Sequence, residues 1–143
     1  MPDIIVVGVD GSKTAARAAE KAKSLAKAFG AQLHVVTAYD SPQVSLHGAG
    51  YERAVVLPDA QAKAEATVSA VAGNLAADGT DVQAFIVGGS PAEALIAHAE
   101  KHGADLIVVG NRRMKGLARV LGSVANSVAH EASCNVYIAE TSE

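Results

Sequence analysis

Two apolar rhythms alternate along this chain. Ile4-Ile5-Val6-Val7-Gly8-Val9 is a β-branched run with almost no polar interruption, the pattern of a strand covered on both faces. Asp10-Gly11-Ser12 breaks it, and apolar residues then recur at Ala15, Ala18, Ala19, Ala22, Leu25, Ala26 and Phe29. That three-and-four spacing predicts a helix with Ser12 as its cap and Gly30 as its stop. Leu33 to Ala38 predicts a second buried strand. From Asp40 to about Leu57 the chain has no clear period and reads as a long mobile loop. Ala62, Ala66, Val68, Val71 and Leu75 predict a helix from about Pro58 to Ala77, and Asp81 to Val87 a third strand. Ser90-Pro91-Ala92-Glu93 combines a capping box with proline at the first helical position, a strong local start signal. The helix it opens runs to Gly103. Asp105-Leu106-Ile107-Val108-Val109 repeats the amino-terminal strand pattern, and a helix from Ser123 to Ala132 and a strand from Asn135 to Ala139 close the chain.

Five strands alternating with four helices predict an α/β fold, a doubly wound five-stranded parallel sheet with helices on both faces in the Rossmann-like manner. Such sheets hold ligands outside the carboxyl ends of the strands, where the strand order reverses. The tips of strands one and four, carrying Asp10-Gly11-Ser12 and the segment Gly110 to Ser123, are therefore expected to face one crevice.

With 143 residues, the chain has the length of one ordinary domain, taken as 1–143. Half of it is apolar, yet no apolar run approaches the roughly 20 residues that cross a bilayer. No signal peptide precedes Ile4, so a cytoplasmic location and no membrane partner are expected. A lone cysteine, Cys134, excludes an internal disulfide and reads as core packing. A net charge of −3 and 3% aromatic content give neither the electrostatic footprint nor the stacking platform of a nucleic-acid binder.

Candidate chemistry concentrates between Gly110 and Ser123. Glycines permit close backbone approach, Arg112, Arg113, Lys115 and Arg119 carry positive charge, and Ser123 opens a helix whose positive end faces the same point. Together these make an anion site; the competing reading is a solvated basic connector. Asp10 is a turn residue or cap on one reading, and on the other a carboxylate for a ribose hydroxyl or a magnesium ion. His98 and His102 have metal-ligand spacing on one helical face, but no third ligand is near in sequence, so both are expected at the surface. His34, His47 and His130 stand alone. No nucleophile, base and orienter fall into a catalytic pattern.

Val7-Gly8-Val9-Asp10-Gly11-Ser12, Asp105-Leu106-Ile107-Val108-Val109-Gly110 and Leu121-Gly122-Ser123-Val124 together resemble the small single-domain universal stress proteins, over essentially the whole chain. The resemblance implies an adenine nucleotide alpha hydrolase-like fold and an ATP-binding, usually dimeric stress-response regulator. Gly110 would be the first glycine of the nucleotide motif and Gly122-Ser123 its closing pair, followed by Val124. Asp10 would contact ribose or magnesium, the backbone near Ala38 would pair with the adenine edge, and Gly8, Val9 and Gly11 would form the floor and turn. Arg113 stands where the motif has its second glycine, and eight residues instead of nine separate it from Gly122. AMP or cyclic AMP is then an alternative to ATP with magnesium, and Arg112 and Arg113 would supply side-chain contacts to phosphate. The last strand, apolar at alternate positions, is expected to pair with a second copy in a homodimer. Two other readings are a nucleotide-free dimerisation or interaction module and a slow ATP hydrolase.

Overall fold

A computed structural model describes residues 2–40, 50–111 and 122–141, the stretch 50–58 as backbone alone. Its elements, in chain order, are β1 (Ile4–Gly8), α1 (Lys13–Phe29), β2 (Gln32–Tyr39), α2 (Gly50–Leu75), β3 (Val82–Gly88), α3 (Pro91–His102), β4 (Leu106–Gly110), α4 (Ser123–Glu131) and β5 (Asn135–Ala139). A single turn of 3₁₀-helix, Ala76–Asp78, follows α2. The five strands form one parallel sheet in the order β3-β2-β1-β4-β5, so β1 lies at the centre and the order reverses between β1 and β4. The doubly wound arrangement expected from the alternating pattern is the one observed.

The two-residue period of the strands divides the core between the faces. Ile5, Val7, Leu33, Val35 and Val108 pack under Ala18, Ala19, Ala22 and Ala26 of α1 and Val68 and Leu75 of α2. Val6, Val36, Ile107 and Val109 meet Leu95 and Ala99 of α3 and Ala125 and Val128 of α4 on the other face. Every strand residue in these two sets is at most 5% exposed, which is why β1 and β4 read as unbroken apolar runs.

Local signals hold at most helix ends. The Ser12 side chain accepts from Ala15 N–H, and Gly30 closes α1 in the left-handed conformation at φ 67°. Ser90 and Glu93 complete both halves of the capping box of α3. One expectation fails: α2 begins at Gly50, not at Pro58, so the segment from Gly50 to Leu57 is helical and not loop. Pro58 looks like a first helical residue, but an interior proline removes one hydrogen bond without always ending a helix. Tyr51 to Leu57 contains no glycine or second proline to end it from the other side. Residues 41–49 of the expected loop lie outside the described residues.

Among the described residues no helix is long and apolar enough to cross a membrane. Cys134 is half-buried against the α3/α4 core, and burial pushes its thiol pKa up, in keeping with the packing role read from the sequence.

Candidate functional site

At the carboxyl ends of β1 and β4 a cleft of about 160 Å³ opens in the seam between the two halves of the sheet. It exists because side chains there are small: Gly8, Ala15, Ala18, Ala38, Ala94 and Gly110 all line it. Leu95 and Val36 close its base and Val124 stands at the start of α4. This is the crevice that the fold logic assigned to the tips of strands one and four.

The β1 end of the cleft is held rigidly. Val9 N–H donates to Val36 O at 2.9 Å and Thr37 Oγ1 donates to Val9 O at 3.0 Å, so Val9 lines the cleft with its main chain tied to β2. Asp10 also lines it and is exposed, and its Oδ1 accepts from Ser12 N–H at 2.9 Å. Gly11 turns the chain with φ 88° and is not itself in the lining. A Cβ on Gly8 would come within 3.1 Å of both methyls of Leu95, so the floor is glycine for reasons of space. The β1–β2 ladder stops at Gly8↔Val36, which leaves Ala38 two residues beyond the last β1 partner, at the cleft wall.

The β4 end is tied to the tail of the chain. Asn111 N–H donates to Ala139 O at 2.9 Å, and Asn111 Oδ1 accepts from Thr141 N–H at 2.9 Å and Thr141 Oγ1 at 3.1 Å. Arg17 Nη1 donates to Thr141 O at 3.0 Å. A Cβ on Gly110 would meet Thr141 Cγ2 at 3.1 Å and Thr14 Cγ2 at 3.2 Å. Gly122 caps α4 in extended conformation, at φ −65° and ψ 160°, with no side-chain cap bond, so the first N–H groups of Ser123 and Val124 have no partner within their own helix.

Of the residues expected at the site, Gly8, Val9, Asp10, Ala38, Gly110 and Val124 line one cleft. Gly11, Gly122 and Ser123 adjoin its lining along the chain, while Arg112, Arg113, Lys115 and Arg119 lie outside the described residues. Pro91, Ala94 and Leu95 were missed. Their signal was present in the strong helix start at Ser90-Pro91, which puts α3 directly after the carboxyl end of β3 and so beside the crevice.

The histidines differ more sharply from expectation. His98 is buried at 4% exposure and His102 is partly buried, so neither is the surface histidine expected, and a third imidazole joins them from far off in sequence: His34 of β2, itself 2% exposed. Sequence separation hid it.

A parallel sheet with a small-residue cleft at its reversal point defines a doubly wound α/β protein with an open crevice at that point. The chain belongs to the universal stress protein family, whose profile matches residues 1–140. It is 37% identical over 136 residues to a universal stress protein of Thermus aquaticus, covering 94% of this chain and 96% of that one. With one from Methanocaldococcus jannaschii it shares 34% identity over 138 residues, covering 94% and 79%. Among solved structures, a universal stress protein in complex with cAMP is 35% identical, with 99% of both chains covered and a TM-score of 0.74. UspA from Lactobacillus plantarum is 25% identical, with 95% and 96% covered and a TM-score of 0.78.

Proposed function

We propose that the chain binds an adenine nucleotide in the cleft between β1 and β4 and acts as a dimeric stress-response sensor or regulator, not as a dedicated enzyme. The observation that carries this reading is the cleft itself, which lies at the strand-order reversal with Asp10 on one side and the start of α4 on the other. The complex of a 35% identical relative with cAMP supports the choice of ligand.

In this reading the α4 start receives phosphate on the backbone N–H groups of Ser123 and Val124 and on the Ser123 hydroxyl, where the helix dipole favours an anion. Arg112 and Arg113 add charge. Asp10 accepts from a ribose hydroxyl or, with ATP, holds magnesium, and the main chain at Ala38 meets the adenine edge. Arg113 in place of a glycine and the shortened loop favour AMP or cyclic AMP over ATP with magnesium. The regulatory reading draws on the lining, where Asp10 is the only ionisable side chain among the described residues. A single carboxylate supplies no pair for acid and base roles. The homodimer draws on β5, an edge strand whose Tyr137 and Ile138 are each 37% exposed.

Calorimetric titration of nucleotide-stripped protein with cyclic AMP, AMP, and ATP plus magnesium tests the reading. Micromolar binding of at least one is expected, with strong weakening in Gly122→Val. The extended backbone at position 122 suits any residue, so this substitution is expected to obstruct the phosphate without straining the backbone dihedral angles there. Silence from all three ligands, or equal affinity in the variant, overturns the assignment.

A further inference from the structure

We propose that His34, His98 and His102 form a binding site for a divalent transition-metal ion, separate from the nucleotide cleft. Each offers one ligand nitrogen, and these atoms lie within 4.8 Å of one another. The elements that present them are rigid: His34 stands in β2, and His98 and His102 lie one helical turn apart on α3. Because α3 runs back across the sheet from the carboxyl end of β3 to the amino end of β4, His102 lies at its far end. None of the three histidines lines the cleft, which adjoins the start of the same helix.

The chemistry around the cluster prepares the imidazoles as ligands. Asp81 Oδ2, which only accepts, takes a hydrogen bond from Gln32 Nε2 at 3.2 Å. That orients the Gln32 amide oxygen toward His34 Nε2, 2.6 Å away. An amide oxygen also only accepts, so Nε2 carries the ring proton and His34 Nδ1 keeps its lone pair, which faces His98 Nε2 at 3.0 Å. A ring whose second nitrogen donates to a fixed oxygen, itself backed by a carboxylate, is the outer-shell pattern that orients metal-bound histidines. His34 and His98 are buried, at 2% and 4% exposure, and a buried imidazole favours the neutral form that ligates a metal. Lys101 opposes a cation here and Asp81 favours one.

Geometry and ligand type set the class of ion. Bonds of about 2.0–2.1 Å in a tetrahedral site put ligand nitrogens about 3.4 Å apart, within the span from 3.0 to 4.8 Å seen here. Without a metal, His98 Nε2 donates to His34 Nδ1; on metal binding His98 shifts to its Nδ1–H tautomer, and small side-chain rotations close the difference. The Phe85 ring packs against all three imidazoles, at centroid distances of 4.7, 4.4 and 5.2 Å, and gives the site an apolar wall. Imidazole ligands suit zinc, cobalt, nickel and copper, and not magnesium or calcium. No fourth histidine, cysteine or carboxylate joins the cluster among the described residues, so one coordination position is left for water or another small ligand.

The test uses tag-free, chelator-treated protein titrated with Zn²⁺ by calorimetry and with Co²⁺ by absorption. One equivalent per chain is expected, with the visible bands of four-coordinate cobalt and a rise in melting temperature, and no response to Mg²⁺. His102→Ala, at the partly exposed rim, is expected to weaken binding at least about tenfold while leaving the metal-free melting temperature nearly unchanged. His34→Gln serves as a second variant with the same expected loss. Absence of stoichiometric binding in the unmodified protein, or binding equal to it in either variant, overturns the proposal.

Discussion

At the scale of single residues, position decides which side chains matter. Gly11 has φ 88°, yet the nearest atom that a Cβ would meet is Thr67 Cγ2 at 3.9 Å, so the demand for glycine is conformational and not steric. Gly11→Ala is expected to cost about 1–2 kcal/mol in chemical denaturation, and Gly11→Asn less, because asparagine tolerates the left-handed region. Equal losses for the two would mean that the turn is held by something other than its dihedral angle. The residues most legible from sequence were those whose role is local: Ser12, Ser90, Glu93 and Gly30 act within a few positions of themselves. Cluster membership is not local. His34 and His98 are 64 positions apart, and only the β2–β3 and α3–β2 packing brings them together, so the helical pair His98 and His102 looked like a surface feature.

At the scale of elements, the alternating pattern was readable because β1 and β4 are covered on both faces and their apolar runs are short and unbroken. The start of α2 was not, since proline at 58 imitates a helix start, and the packing that holds the described part of that helix comes from Ala64, Val68, Ala72 and Leu75, well downstream. The join between β1 and β4 rests partly on charge. The Asp105 carboxylate accepts from Asp3 N–H at 2.7 Å and Ile4 N–H at 3.3 Å, and these bonds hold its pKa below the usual carboxylate range. Such a group binds fewer protons folded than unfolded. Its contribution is complete above about pH 5 and fades as pH falls through the ordinary carboxylate value to the lowered folded one. Asp105→Asn is therefore expected to be less stable at neutral pH, with the gap to the unmodified protein closing on acidification. A gap unchanged down to pH 2 would show that the charge contributes nothing.

At the scale of the whole molecule, the sheet has one edge at β3 and the other at β5. If two copies join through β5, Ile138→Lys is expected to sediment as a monomer where the unmodified protein sediments as a dimer. A monomeric unmodified protein, or a variant that remains dimeric, would place any association elsewhere. The crevice was foreseeable because strand order alone locates it, whereas its lining from α3 was not, because that helix enters from the opposite half of the chain. The hollow between the two halves also has a bias toward loss. Six of its lining positions are occupied by the two smallest amino acids, so almost every replacement there adds volume. Chance variation can readily plug this cavity and has scarcely any way to enlarge it, which makes a descendant with a filled crevice far easier to reach than one with a roomier one.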